Sequence, residues 1–191
     1  MARPSKKSDI IAAAAYLFST KGYHATTVRD IAERSGILSG SLYAHIRNKE
    51  DLWREIVREA ARSFTEALKP ICDAPWPAAV KFDRAVHAHV RVIVTSMDRA
   101  SIYLDADTVF SEEGRAEVRR LHHAYEELWG DLLEQGIQEG VFAIKDTQLA
   151  RLWVLSSLNS LARWYRPQGR LSADEIADHF SDWALKAWAA S

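Results

Sequence analysis

The sequence predicts an all-α protein of about nine helices, with a small N-terminal three-helix head followed by a larger C-terminal helical body. Apolar residues recur at i, i+3 and i+4 through most of the chain, which is the spacing of one helical face. Alternating apolar and polar residues, the pattern of a half-buried strand, are not found, and neither are hairpin turns such as Asn-Gly. Glycines and prolines fall between the periodic stretches, where helices are expected to end.

Two short helices joined by a glycine turn follow the first helix. Thr27 is a side-chain acceptor at a plausible helix start, and Asp30 stands three residues later. Gly36 can adopt the left-handed conformation that ends a helix. Leu42 and Ile46 then form a second apolar stripe on a helix that begins near residue 39. Since neither helix can bury its apolar face alone, the pair predicts a helix-turn-helix supported by the first helix.

The remaining helices are bounded by caps and prolines. Asn48 is expected to cap one helix, and Pro70 to end it. Ser172 and Glu175 form a capping box that opens the last helix. The helices predicted outside the helix-turn-helix run over about residues 8–20, 49–68, 78–97, 100–110, 112–139, 147–165 and 173–189.

Charge is distributed unevenly along the chain, although the formal net charge is only −1. Residues 1–58 carry ten Lys and Arg against six Asp and Glu, whereas residues 59–191 carry fifteen against twenty. A basic end joined to an acidic body favours a protein whose first part faces phosphate.

The helix-turn-helix carries side chains suited to DNA. Such a motif places its second helix in the major groove, while flanking groups bind phosphates. Thr27 offers a hydroxyl and backbone N–H groups, Gly40 permits close approach of the backbone, and Lys49 adds a positive charge. The predicted DNA-binding residues are Thr27, Arg29, Ser39, Gly40, Ser41, Tyr43, His45 and Lys49. Each alone also fits a cap, a surface side chain or a ring that covers the core, so the prediction depends on their convergence on one small face.

Several other classes of protein are disfavoured. Cys72 is the only cysteine, which excludes an intrachain disulfide and suits a reducing, cytoplasmic setting. No secretory signal or membrane-spanning run is present, so no membrane partner is expected. The chain has no Gly-rich phosphate loop, no Gly-x-Ser-x-Gly elbow and no metal-ligand spacing. Neither catalysis nor a cofactor or metal is therefore predicted.

The last two helices, 147–165 and 173–189, are apolar over most of their circumference. Such helices need partners on more than one side. Pairing with a second copy across a twofold axis, as a four-helix arrangement, would supply them. Burial within one subunit is the alternative. A homodimer through these helices is the prediction.

A small-molecule pocket is predicted among the middle helices. Aromatic and apolar residues in phase on those helices would line it, although such residues at helical spacing more often form ordinary core. The predicted lining consists of Val90, Ile93, Tyr103, Tyr125, Trp129 and Trp153.

The N-terminal segment resembles the TetR family of transcriptional repressors. The resemblance rests on Thr26-Thr27-Val28-Arg29-Asp30-Ile31-Ala32, Gly36-Ile37, Gly40-Ser41-Leu42-Tyr43-Ala44-His45 and Lys49-Glu50-Asp51-Leu52. It implies a homodimer with two N-terminal DNA-reading heads and a C-terminal body that binds a ligand and dimerises. Ile46 stands where the family usually has Phe, and Ser39 where Lys is common, which removes one phosphate contact.

A second segment, residues 162–172, together with residues 36–41, is similar to a subgroup of that family. These are regulators of fatty-acid, steroid-ring and aromatic degradation whose inducers are CoA thioesters. Arg163 and Arg166 suit phosphate groups, since guanidinium forks bind phosphate through two hydrogen bonds, and Trp164 can stack on an adenine. Ordinary ion pairs at a dimer seam are the alternative role for these arginines.

The chain is therefore expected to contain a DNA-binding domain in residues 1–50 and a ligand-binding and dimerisation domain in residues 51–191. The predicted function is repression from a palindromic double-stranded DNA operator, with release by a small molecule such as a CoA thioester of a fatty, steroid-derived or aromatic acid. Alternatives are a regulator with a non-CoA hydrophobic inducer, for example of an efflux gene, and then a helical interaction module or an enzyme.

Overall fold

The computed structural model describes residues 6–106 and 111–190, and these residues form ten helices. The bounds of the helices are α1 Lys6–Lys21, α2 Val28–Arg34, α3 Ser39–Leu42, α4 Lys49–Asp73, α5 Ala78–Thr95, α6 Met97–Leu104, α7 Glu112–Gln138, α8 Thr147–Asn159, α9 Leu161–Trp164 and α10 Ala173–Trp188. Within the described residues the only extended pairing is a single antiparallel bridge between Phe142 and Ala189, so the predicted all-α class is confirmed. None of the described helices is long and apolar enough to cross a membrane.

Two compact units make up the chain. The first comprises Met1–Ala60 and Asp98–Arg119, and the second Ala61–Met97 and Arg120–Ser191. The division after Ala60 falls within α4, and the division after Arg119 falls within α7, so both helices contribute residues to both units. The expected functional boundary at residues 50 and 51 stays a prediction.

The helix-turn-helix in the first unit forms for the local reasons that the sequence indicates. The Thr27 hydroxyl accepts a hydrogen bond from the Asp30 N–H, and the Asp30 carboxylate accepts one from the Thr27 N–H, which completes a capping box for α2. At the other end Gly36 has φ +68°, and the Ile37 N–H bonds the Ala32 carbonyl at 3.0 Å. This Schellman-type ending turns the chain towards α3.

Several helix ends differ from the prediction. Pro70 does not end α4, because its missing N–H removes only one intrahelical bond and the helix continues to Asp73. The helix predicted over 147–165 is divided at Ser160, where the Arg163 N–H bonds the carbonyl three residues back instead of four. This division accounts for ten helices where about nine were expected. The predicted sixth helix begins earlier, at Met97, and its expected end at residue 110 lies outside the described residues.

The core of the second unit is aromatic. Phe64, Phe82 and Trp129 are fully buried and come from α4, α5 and α7. Phe82 and Trp129 meet edge to face with ring centroids 6.0 Å apart. Glu139 accepts a hydrogen bond from the Ala78 N–H at 2.8 Å, which caps α5 from the end of α7. These contacts fix α5 and α7 around the polar cluster described below.

Candidate functional site

The second helix of the helix-turn-helix presents its polar side chains to solvent. α3 is shorter than predicted, and Tyr43 and His45 lie in the tight turn that follows it, where the His45 N–H bonds the Leu42 carbonyl. Leu42 and Ile46 are buried and hold this segment on the head, as their spacing predicts. The residues of the predicted DNA surface that are exposed are Thr27, Arg29, Ser39, Gly40, Ser41, Tyr43 and His45. The buried pair thus leaves the neighbouring polar groups free to face a duplex.

Thr27 is engaged within the protein. Its backbone N–H, a predicted donor to phosphate, donates instead to the Asp30 carboxylate at 2.9 Å. The Lys21 ammonium lies 2.8 Å from the same carboxylate and, together with the Thr27 hydrogen bonds, lowers the pKa of Asp30 to about 2. A DNA contact by Thr27 therefore depends on its hydroxyl hydrogen, while its other polar groups build the cap.

Lys49 is also tied into the head. Its ammonium donates to the carbonyl oxygens of Tyr23 at 2.7 Å and Thr26 at 2.9 Å, and lies 4.2 Å from the centroid of the Tyr23 ring. Burial lowers the pKa of this ammonium. Two of its three N–H groups are thus occupied by the loop between α1 and α2, and a phosphate contact has only the third to use.

Replacing Lys49 with Met should destabilise the head, because the aliphatic stem is kept while two carbonyls lose their donor. We expect the free energy of unfolding to fall by about 1–3 kcal/mol, the range for polar groups left without a partner. Denaturant titration followed by circular dichroism measures the loss. Arg47→Met, at an exposed position two residues earlier, is the matched control. Equal stability of both variants would contradict the anchoring role of Lys49.

A charged cluster joins α4 to α7 inside the first unit. Glu117 accepts hydrogen bonds from Arg54 at 2.6 and 2.9 Å and from Arg58. The bond from Arg58 contributes most to lowering the pKa of Glu117. The i, i+4 spacing of the two arginines was a signal of a shared face, but their partner lies about sixty residues away and could not be predicted from spacing.

A buried polar cluster lies in the second unit among α5, α7 and α8. His89 is fully buried; its Nδ1 lies 2.8 Å from the Tyr125 hydroxyl and its Nε2 lies 3.0 Å from the Asn159 Oδ1. Burial lowers the pKa of His89 to about 4, so the ring is neutral at pH 7. Because an amide oxygen only accepts, Nε2 carries the proton and Nδ1 accepts from Tyr125.

Trp129 borders this cluster. Its ring centroid lies 6.0 Å from that of His89, and its indole N–H is buried without a hydrogen-bond acceptor among the described residues. An unsatisfied buried donor costs about 1–3 kcal/mol. An acceptor brought by a ligand would remove that penalty.

The predicted ligand residues fall into separate groups. Val90, Ile93, Tyr125 and Trp129 are buried in the second unit, and Tyr103 is buried in the first. Trp153, Arg163, Trp164 and Arg166 are instead exposed on α8, α9 and the turn that follows. The structure brings Tyr125 and Trp129 together around His89 and Asn159, which were not predicted as site residues. The signal in the sequence that could have identified His89 and Asn159 is that each is a polar residue on the apolar face of a helix.

An open groove of about 830 Å³ in the second unit has a different lining. Ser63, Arg84, His87, Arg91 and Asp178 contribute polar groups to it, and its lining includes none of the nine predicted ligand residues. This groove thus has both polar and apolar lining, and the buried members of the predicted ligand set are packed as core instead.

The last helices expose large apolar side chains. Leu149 and Leu152 on α8 are each 61% exposed, and Trp183 on α10 is 57% exposed. Trp153 and Trp164 are about half exposed. Large apolar side chains are thus exposed on both α8 and α10.

Comparison with known proteins agrees with this geometry. Residues 10–63 match the model of bacterial regulatory proteins of the tetR family, and residues 76–188 match that of the tetracyclin repressor-like C-terminal domain. The HTH-type transcriptional repressor KstR2 of Rhodococcus jostii (strain RHA1) is 31% identical over 180 residues, which cover 93% of this chain and 88% of that protein.

Two solved structures are similar along nearly their whole length. The ketosteroid transcriptional regulator KstR2 of Mycobacterium tuberculosis has a TM-score of 0.91 at 29% identity, covering 100% of this chain and 98% of that one. The TetR family transcriptional regulator PfmR from Thermus thermophilus has a TM-score of 0.86 at 33% identity, covering 93% and 97%. With both parts of the chain matched by family models, the chain belongs to the TetR family of bacterial transcriptional regulators.

Proposed function

We propose that the chain is a ligand-released repressor that binds a palindromic operator as a homodimer. The observation that carries this proposal is the surface of the helix-turn-helix, whose first helix is capped at Thr27. Buried Leu42 and Ile46 anchor its second segment. They leave Ser41, Tyr43 and His45 exposed. Hydroxyl and imidazole groups suit phosphate oxygens and base edges in a major groove. Arg29 adds an exposed positive charge on α2.

The dimer is proposed to form through α8 and α10. Their exposed leucine and tryptophan side chains would be buried between two copies, which is the usual use of a large apolar patch. Two heads spaced by one helical turn of DNA, about 34–36 Å, would then engage successive major grooves.

The ligand is proposed to bind at the His89–Tyr125–Asn159 cluster. The Trp129 N–H supports this site, because it lacks an acceptor that a ligand carbonyl or hydroxyl would supply. The aromatic surroundings suit an apolar ring system or acyl chain. Since the helices are closely packed there, binding would require them to separate, which couples occupancy to a change of conformation.

A CoA thioester of a fatty, steroid-derived or aromatic acid is the proposed class of inducer. Arg163 and Arg166 are exposed, and no carboxylate is described within ion-pair distance of Arg166. Trp164 is about half exposed and offers a ring face to an adenine. The similarity to KstR2, a ketosteroid regulator by its name, supports a steroid-derived acid. A non-CoA hydrophobic inducer is the second candidate, and the apolar surroundings of Trp129 favour it.

Release would pass along α4 and α7, two long helices that each have residues in both units. A ligand that prefers a conformation with widely spaced heads lowers the affinity for DNA by its differential affinity for the two states. Binding of DNA must then lower the affinity for the ligand by the same factor.

The test is a thermal-shift comparison of free acids with their CoA thioesters, followed by release from the promoter fragment of the chain's own gene. We expect the thioester of a steroid-derived acid at about 100 times its dissociation constant to raise Tm by about 5–10 °C. It should also release the bound fragment, and the free acid should do neither. Arg163→Ala with Arg166→Ala should remove the preference for the thioester.

Stabilisation by free acids alone would contradict the thioester class but leave the repressor standing. Failure to bind the promoter fragment specifically would contradict the repressor itself.

A further inference from the structure

We propose that Leu38 reads the C5-methyl group of a thymine in the operator and so sets part of the sequence specificity. The proposal rests on the DNA-binding function argued above. It adds an apolar contact to a surface whose predicted DNA-binding groups are all polar, charged or glycine. Leu38 precedes α3 and is 79% exposed, the highest exposure among the large hydrophobic residues of the described ranges.

The position of Leu38 is one where the protein alone would favour a polar residue. Leu38 is the N-cap of α3, with φ −71° and ψ 140°, and its side chain makes no capping hydrogen bond. Serine, threonine, aspartate or asparagine at an N-cap is usually more stable by about 1 kcal/mol. Thr27, Asp146 and Ser172 cap their helices in this way, and so does Asn48 at α4. The head thus lacks a cap where its exposed surface begins.

Gly40, two residues later, is likewise a residue that the stability of the fold does not explain. Its φ is not positive, and a Cβ built there would meet no atom within 4 Å. Glycine inside a helix is less stable than alanine by about 0.5–1 kcal/mol, so packing gives no reason for it here. Open space beside Gly40 would be filled if the backbone of α3 approached another molecule closely.

The two features together indicate the chemistry of that molecule. Leu38 needs an apolar partner, and its neighbours Ser39, Ser41 and Tyr43 are exposed hydrogen-bonding groups. The major groove combines both kinds of group, because thymine presents its methyl beside the oxygen and nitrogen atoms of the base edges. A leucine at the start of the inserted helix can contact that methyl, and burial there removes its apolar surface from water.

The experiment uses the duplex that the full-length wild-type chain enriches from a random pool. Each thymidine is replaced in turn by deoxyuridine, which removes only the methyl group, and affinity is measured by fluorescence anisotropy. Deoxyuridine in place of the thymidine that Leu38 contacts should weaken wild-type binding about fourfold when one half-site is changed. When the symmetry-related thymidines of both half-sites are replaced, binding should weaken about fifteenfold. Leu38→Ala should bind the thymidine and deoxyuridine duplexes equally, at the affinity of the wild type for the deoxyuridine duplex.

Leu38→Ser gives a second variant that guards against loss of folding. It should lose the same discrimination while its Tm is equal to or higher than that of the wild type, since serine restores the cap of α3. Val80→Ala, at an apolar residue 40% exposed on α5, is the control and should keep full discrimination.

Two results would overturn the assignment of Leu38. One is tight binding of the selected duplex with no position sensitive to deoxyuridine, and the other is unchanged sensitivity in Leu38→Ala. Either leaves the repressor function intact. If no duplex is enriched by the wild type, the repressor function fails and the role of Leu38 fails with it.

Discussion

Replacing Leu152 with Glu should abolish the dimer and weaken binding to a two-half-site operator at least 100-fold. Leu152 is 61% exposed on α8, so the isolated subunit should lose little stability, within about 0.5 kcal/mol. At a twofold interface the change would bury two carboxylates without partners, which costs several kcal/mol per charge. Two linked heads bind an operator about 10² to 10⁴ times more tightly than one head does, and that gain in affinity would be lost.

Sedimentation equilibrium measures the subunit association, and titration of the operator measures the affinity. Val80→Glu is the matched control, because Val80 is an exposed apolar residue on α5, which is neither of the two helices of the proposed interface. The control should dimerise and bind normally. A Leu152→Glu protein that stays dimeric would show that the dimer does not form through the exposed face of α8.

The features that sequence predicted well are those fixed within a few residues. The capping boxes at Thr27–Asp30 and Ser172–Glu175 each need only two side chains three residues apart, and both are present. The ending at Gly36 needs one residue that tolerates a positive φ. Such local rules produced the helix-turn-helix, and with it the candidate DNA surface.

Predictions about the body were weaker because periodicity does not identify the partner of an apolar face. α8 has apolar residues around most of its surface, and its periodicity predicts a pocket position for Trp153, which is about half exposed. The same pattern serves a core, a pocket or a subunit interface. His89 and Asn159 are seventy residues apart, and only the packing of α5 against α8 brings their side chains together.

Lys49 illustrates a related limit within the head. A lysine in the first turn of a helix next to a DNA-reading segment suggests a phosphate contact. Its actual hydrogen-bond acceptors are backbone carbonyls in the loop between α1 and α2, which every residue possesses and no sequence pattern marks. Backbone carbonyls can therefore bind a side chain that the sequence predicts as a ligand contact, and only the fold shows which carbonyls lie close enough.

Acidification from pH 6.5 to pH 4 should weaken the second unit through His89 by about 3 kcal/mol. Burial holds the pKa of His89 at about 4 in the folded chain, against about 6.5 in the unfolded chain. Above pH 6.5 the ring is neutral in both states and makes no pH-dependent contribution. Between pH 6.5 and pH 4, His89 is protonated in the unfolded chain but neutral in the folded chain. The free energy of unfolding therefore falls by up to about 1.4 kcal/mol per pH unit in this range.

Denaturant titrations of the wild type and His89→Gln at pH 7, 6, 5 and 4 isolate this contribution, because other groups titrate alike in both proteins. At pH 7 the variant should be less stable, having lost the contact with the Tyr125 hydroxyl or with Asn159. Its deficit should shrink by about 3 kcal/mol as the pH falls to 4. His123→Gln, at an exposed histidine that faces Glu127, is the matched control for the substitution itself. Parallel curves for wild type and His89→Gln would mean that the pKa of His89 is the same in the folded and the unfolded chain, and that burial does not keep the ring neutral below pH 6.5.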